Sequence, residues 1–320
     1  MILVVCVHTS TFSEVDTYPY SELFGLFRMP LFFFICGFIF YKSSQRWNFI
    51  NSIKFLSNKF LVQIIPTIIF LSLYLFVIPY DSINGKLNGY WFTVTLFEYF
   101  LVYTFCNLFI QNQILCNILL FFIAICLFIT RYLSWTWEWY TINPFINEFI
   151  IFNFEFFVYF IIGLSAKKHF KWICKYLFNN NIIMLSIIAS TFVFAILFLN
   201  GYFVKLETKL ALSILCIFSI FYFFMKNGEY FDNSRFGKAL QFIGRRTLDI
   251  YLLHYFFVHS SISWIKNIGI DSPTLIFVIS ILTALVIIGI CLLISKFLRT
   301  NPLLGKILFG AKMPSKIENK

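Results

Sequence analysis

Leu23-Phe24-Gly25-Leu26-Phe27-Arg28-Met29-Pro30-Leu31-Phe32-Phe33-Phe34-Ile35-Cys36-Gly37-Phe38-Ile39-Phe40-Tyr41 carries a single charge, Arg28, in an otherwise apolar run. A bilayer core about 30 Å thick is crossed by about 20 such residues as an α-helix, which satisfies its own backbone hydrogen bonds in hydrocarbon. Outward from this stretch, similar runs recur near residues 60–78, 91–110, 114–130, 149–164, 182–199, 210–225, 248–265 and 275–298, and a stub at 1–8 precedes them all. The predicted fold class is all-α, a polytopic transmembrane helix bundle of about nine full spans plus a truncated first span. The runs at 149–164 and 210–225 are short, and tilt or local bilayer thinning accommodates a short span.

Composition agrees. Of 320 residues, 60% are hydrophobic and 12% charged, and the mean hydropathy is +0.84. No soluble core could bury that much apolar surface, so residues 1–320 read as one integral membrane domain whose solvent is the lipid bilayer. The 46 phenylalanines are read as filling lipid-facing positions, without functional weight. The 8 cysteines sit mostly in apolar runs, with no CxxC and no Cys/His pair at metal-ligand spacing, so free thiols, no metal and no bound cofactor are expected. The opening Met1-Ile2-Leu3-Val4-Val5 has no basic region of the kind that starts a signal peptide, and no removed segment is expected.

A net charge of +11 would suggest nucleic acid in a soluble protein, but here the positions of the charges read as topology, and no nucleic-acid partner is expected. With the segment 42–59 placed inside, 19 Lys and Arg fall inside, 5 outside (Lys86, Arg131, Lys205, Lys209, Lys266) and Arg28 within a span. Acidic residues sort the other way, 8 outside and 3 inside. The C-terminus is therefore expected in the cytoplasm, with 299–320 as a basic tail. The longest loops hold only about 20 residues, so chemistry must take place within the bundle or at its mouths.

Ionisable groups inside hydrocarbon cost several kcal/mol unless they face protein or water, which makes each one a functional candidate. They are His8 at the end of the stub, Arg28, Glu98, Glu155, Asp249, His254 and His259. Arg28 lies about a turn and a half into its span, too deep for easy snorkelling. It is expected either to pair with Glu98 or Glu155 or to hold an anionic group as a permanently charged planar fork. His8, followed by Thr9-Ser10-Thr11, is either an interfacial side chain bonded to its own loop or a base for a hydroxyl proton. Asp249, His254 and His259 step about 140° around one helix at each five-residue interval, so they do not form a metal triad. Asp249 is expected at the headgroups or beside Arg245, and His254 in either a structural or a cavity-lining role. Trp91, after Gly89-Tyr90, is simplest as an interfacial anchor. Trp135, Trp137 and Trp139 with Tyr140 form either a sugar platform or part of an interfacial belt.

Three strings go further: the apolar run ending in His8; Phe27-Arg28-Met29-Pro30-Leu31-Phe32-Phe33-Phe34-Ile35-Cys36-Gly37-Phe38; and Ile243-Gly244-Arg245-Arg246-Thr247-Leu248-Asp249-Ile250-Tyr251-Leu252-Leu253-His254. With Lys59 before Pro66, Tyr90-Trp91-Phe92, and Phe157 to Gly163 followed by Lys167-Lys168, the chain resembles the acyltransferase 3 family of bacterial membrane O-acyltransferases along essentially its whole length. The resemblance implies a ten-span pattern. It also implies transfer of an acyl group, usually acetyl from acetyl-CoA, to a hydroxyl of an envelope polysaccharide or glycolipid at the cell's inner membrane. It implies His8 and Arg28 as catalytic residues, with Lys59, Trp91, Glu98 and His254 about the donor or acceptor. Two departures stand out. Only seven residues precede His8, where the family has a longer lead with an arginine, and Val62 stands where a second basic residue is common. The competing functions are a surface-polysaccharide transporter or polymerase, for which no internal repeat is visible, and an inactive family member serving as a partner. Reporter fusions at Lys320 and near residue 81 are expected to report cytoplasmic and outer locations respectively; the reverse result would overturn the charge-based topology.

Overall fold

Among the described residues seven helical segments are long and apolar enough to cross a membrane: Tyr20–Phe40, Phe49–Val77, Trp91–Phe109, Gln113–Thr130, Asn181–Leu199, Thr208–Lys226 and Pro273–Leu298. The computed structural model describes residues 1–12, 17–42, 47–78, 89–136, 155–201, 206–266 and 272–311. Within these the elements are α1 (Ile2–Phe12), α2 (Tyr20–Phe40), α3 (Phe49–Lys59), α4 (Ile65–Val77), α5 (Trp91–Phe109), α6 (Gln113–Thr136), α7 (Phe157–Lys168), α8 (Phe170–Ile173), α9 (Asn181–Leu199), α10 (Leu206–Lys226), α11 (Gly228–Asn233), α12 (Arg235–Arg245), α13 (Thr247–Lys266), α14 (Pro273–Leu298) and α15 (Pro302–Phe309). The class is all-α, with no strand among the described residues. The spans expected near 149–164 and 248–265 correspond to α7 and α13, whose described apolar parts are shorter than a full crossing. The side chains of the aromatic cluster Trp135, Trp137, Trp139 and Tyr140 lie outside the described ones.

Helices also form in segments expected as loops, among them α11 and α12 and the two that follow. The segment 42–59, expected as a loop, contains α3, which runs through a π-helical turn at Phe60–Ile64 into α4. Hydropathy stops at Lys54, Asn58 and Lys59, but Lys is a good helix former, so the helix extends beyond the apolar run. The π turn has a local cause. Pro66 has no N–H and its ring crowds the preceding turn, and the Ile65 N–H instead reaches the Phe60 carbonyl five residues back. At the other end, residues 302–309 of the basic tail form α15, whose Phe309 is 3% exposed. Its start is capped by the Asn301 side chain, and Gly310 closes it at φ 60°.

The chain forms two compact units. The first comprises Met1–Tyr20, Ile53–Glu98 and Lys238–Lys320. In it, α1 packs on α14 and α13, and α4 packs on α13 and α15. The buried stripe of α14 runs Ile276, Ser280, Ala284, Ile287, Ile288, Cys291, Ser295, a helical spacing rich in small side chains. Small residues let helix backbones approach closely, and Thr9 of α1 reaches the Ser280 carbonyl at 3.4 Å. α13 is buried almost all round from Asp249 to Tyr255.

The second unit comprises Ser21–Ser52 and Tyr99–Gly237. Here α2 and α7 cross at glycines: a Cβ on Gly37 would overlap the Phe160 carbonyl, and one on Gly163 would overlap that of Phe34. Such paired backbone contact is the small-residue mode of membrane helix association. Phe34 and Phe38 of α2 meet Phe221 of α10 edge-on at 5.5 and 5.0 Å, and the Ser213 hydroxyl donates to the Leu26 carbonyl at 2.5 Å.

Asp249 corrects an expectation. Instead of the headgroups or Arg245, it meets Arg299 in a two-pronged pair, Nε to Oδ2 at 2.9 Å and Nη2 to Oδ1 at 2.8 Å. Ser295 donates to the same carboxylate, and Arg246 stands 3.4 Å away. The partner lies fifty residues on in sequence, where local spacing gives no hint of it. Arg299 also lies 5.1 Å over the ring of Phe309, so the pair ties α13, α14 and α15 together. Asp249→Ala is expected to lower the unfolding temperature of the detergent-solubilised protein by several degrees. The loss falls at the lower end of the about 3–5 kcal/mol seen when a buried pair is broken, because the Arg299 side chain is 21% exposed. An unchanged melting profile would sink this assignment.

Candidate active site

The site forms where α1, α13 and the turn before α5 meet, all within the first unit. The turn comes first. Gly89 adopts φ 88°, a left-handed conformation that L side chains rarely hold, and brings its carbonyl to two tyrosines of α13. Tyr251 OH donates to the Gly89 carbonyl at 2.9 Å and accepts from the Phe92 N–H at 3.1 Å. One of the orphan amides at the start of α5 is thereby satisfied. Tyr90 OH donates back across the same interface to the Leu252 carbonyl at 2.8 Å. Tyr255, one helical turn after Tyr251 and so on the same face, donates to the Gly89 carbonyl at 3.1 Å.

The hydroxyl of Tyr255 also lies 3.1 Å from Nε2 of His8, and the two rings are 5.2 Å apart. His8 is half-buried on α1, between the buried Cys6 and the buried Thr9 and Ser10. His254 is fully buried, its ring 5.6 Å from that of His8 and 4.0 Å from that of Tyr255. Its Nδ1 stands 3.0 Å from the Ile250 carbonyl and 2.8 Å from that of Tyr251. Carbonyl oxygens only accept, so these neighbours assign the proton to Nδ1 and leave a lone pair on Nε2. That Nε2 is buried with no hydrogen-bond partner among the described residues. A buried unpaired acceptor is costly, so a hydrogen-bond donor brought to it would be stabilised.

Of the six residues expected from sequence, the structure brings His8 and His254 together. Trp91 opens α5 two residues after Gly89, half-buried, with its ring against Phe92. Glu98 lies two turns further along α5, its Oε2 buried with no hydrogen-bond partner among the described residues. Lys59 ends α3 rather than a loop, its ammonium 5.7 Å over Phe55. Arg28 belongs to the second unit, half-buried on α2 two residues after Leu26. His259 has no described side chain. Sequence reasoning missed Tyr255 and Gly89 as site residues. The available signal was the spacing of Tyr251 and Tyr255, two hydroxyls one turn apart on the helix that carries His254. Among the described residues no group of three or more His, Cys, Asp or Glu is placed to hold a metal ion.

A family model described as an acyltransferase domain matches residues 1–294, which include His8, Gly89, His254 and Tyr255. The chain belongs to the acyltransferase 3 family. Comparison with curated proteins and with solved structures found no match. This member of the family is a membrane acyltransferase.

Gly89→Ala is expected to force the Tyr255 ring away, because a Cβ there would overlap it and the left-handed backbone adds strain of about 1–3 kcal/mol. Gly25→Ala, where a Cβ meets nothing within 4 Å, is the control and should melt no lower than the parent. Equal melting temperatures for the two variants, read by tryptophan fluorescence, would show that the Gly89 contact does not form.

Proposed function

We propose that this acyltransferase 3 family member moves an acyl group, acetyl in the first instance, from acyl-CoA to a hydroxyl of an envelope polysaccharide or glycolipid at the cytoplasmic membrane. The observation that carries the reading is the half-buried His8 imidazole held against Tyr255 and beside His254. The proton of the acceptor hydroxyl passes to His8 as the oxygen attacks the thioester carbonyl carbon. A carbon–oxygen bond forms, the carbon–sulfur bond breaks, and the departing thiolate takes the proton back from His8. No metal, oxidant or reductant is needed for that balance.

The other expected residues take supporting roles. Arg28, in the second unit, holds an anionic group, as a permanently charged fork can. Lys59, on the side rich in Lys and Arg, receives a phosphate of coenzyme A. Trp91 and Glu98, on the helix that begins at the Gly89 turn, face the acceptor, and the bare Nε2 of His254 accepts a hydrogen bond from a substrate hydroxyl or amide. Coenzyme A is made in the cytoplasm, whereas charge sorting puts His8 toward the outer face, so the pantetheine arm has to reach into the bundle.

The test compares the O-acetyl content of envelope glycans in cells with the native gene, a deletion, and His8→Ala at equal membrane abundance. O-acetyl groups are expected to be lost in both mutants, with His8→Ala down by about a hundredfold or more in initial rate, as for removal of a general base. Unchanged acetylation in the deletion, together with altered glycan export or chain length, would overturn the reading in favour of a transporter or polymerase.

A further inference from the structure

The groups around His8 also determine which of its ring nitrogens does the work. Tyr255 has one hydroxyl proton, and its hydroxyl lies 3.1 Å from both the Gly89 carbonyl and the His8 Nε2. The carbonyl can only accept, so it takes the tyrosine proton, and the tyrosine oxygen is left facing Nε2 with a lone pair. A nitrogen facing a lone pair at hydrogen-bond distance carries a hydrogen. We propose that Tyr255, locked onto the Gly89 carbonyl, is a positioning residue that holds His8 in its Nε2-protonated tautomer and so puts the proton-accepting lone pair on Nδ1.

Three further observations support this. Tyr255 is only 2% exposed, and its ring rests so closely on Gly89 that no side chain fits at that position, which fixes the hydroxyl oxygen beside the carbonyl. The Gly89 carbonyl is itself held by Tyr251, which is tied in turn to the Phe92 amide, so the acceptor that commits the Tyr255 proton belongs to a braced turn rather than a free loop. Tyr74 and Tyr90 pack on the Tyr255 ring with centroids 6.4 and 5.1 Å away, which restricts its other faces. The logic is general: the hydrogen bond at one imidazole nitrogen selects the tautomer and aims the other. When Nδ1 gains the acceptor proton, the tyrosine oxygen also faces the resulting imidazolium, so the partner that orients the ring steadies the charge it acquires.

The proposal deepens the acyl-transfer reading and rests on it for the role of Nδ1, but the tautomer can be read without any turnover. The protein, labelled with ¹⁵N-histidine in lipid bilayers, contains 4 histidines, and the His8 signals are assigned by their loss in His8→Gln. At a pH where the ring is neutral, Nε2 is expected to be protonated and Nδ1 bare, and in Tyr255→Phe this preference is expected to be lost. A wild-type His8 protonated on Nδ1 overturns the proposal, as does a tautomer that Tyr255→Phe leaves unchanged.

The second readout is thiol release from acetyl-CoA by everted membrane vesicles carrying the full chain and its endogenous acceptor. Tyr255→Phe keeps the ring and removes only the hydroxyl. Its maximal rate is expected to fall about ten- to a hundredfold, less than loss of the base itself, with KM for acetyl-CoA within about twofold. A maximal rate within twofold of the parent at equal abundance and equal melting temperature overturns the positioning role. If the wild-type vesicles release no thiol while the His8 tautomer is as expected, the acyl-CoA reading fails and the hydrogen-bond assignment stands. The two failures are therefore distinguishable.

Discussion

The Gly89 carbonyl is the point on which the candidate site depends. Two tyrosine hydroxyls of α13 converge on it, one of them also receives an amide from the first turn of α5, and the other touches His8. In a bilayer, water is not available to satisfy stray hydrogen-bonding groups, so an irregular turn at the mouth of a helix persists only if the protein supplies the partners. The tyrosines supply them. The requirement for φ above zero at Gly89 and the closeness of the Tyr255 ring are two aspects of the same arrangement, because only a residue without a Cβ allows both.

The rest of the first unit serves to bring α1 to that point. A stripe of small side chains on α14 lets α1 lie close, and the pair of Asp249 with Arg299 ties the far end of α13 to α14 and α15. A bidentate guanidinium–carboxylate pair fixes orientation as well as distance. α13 is thereby anchored by charge at Asp249 and, within the next two turns, by the hydroxyls of Tyr251 and Tyr255. The second unit uses a different device, the glycine crossing of α2 with α7 and a set of edge-on phenylalanine contacts. Part of the large phenylalanine content is thus internal packing rather than lipid-facing filler.

Much of the architecture was legible before any coordinate. Hydropathy located the helices, with errors where a good helix former interrupts an apolar run, as at Lys54 and Lys59, or where a basic tail hides a short amphipathic helix, as at 302–309. His8 and His254 were legible as expensive polar groups in apolar surroundings. Their closeness was not, since nothing in the local pattern around residue 8 refers to residue 254. The same holds for Asp249, for which the sequence suggested a neighbour one turn away and the fold supplied Arg299.

By itself the sequence determined the class of structure, the order of the helices and a short list of costly intramembrane side chains. It could do so because the bilayer imposes one strong one-dimensional rule, about 20 apolar residues per crossing with every backbone group satisfied. The strings around His8, Arg28 and His254 then led to the acyltransferase 3 family, whose model matches residues 1–294. Only the tertiary structure decided which groups meet: Tyr255 with His8, 247 residues apart, and Tyr255 with Gly89, 166 residues apart. Contacts of that span are set by how helix faces pack and by which small residues let them approach, and neither is written in the local period of the chain.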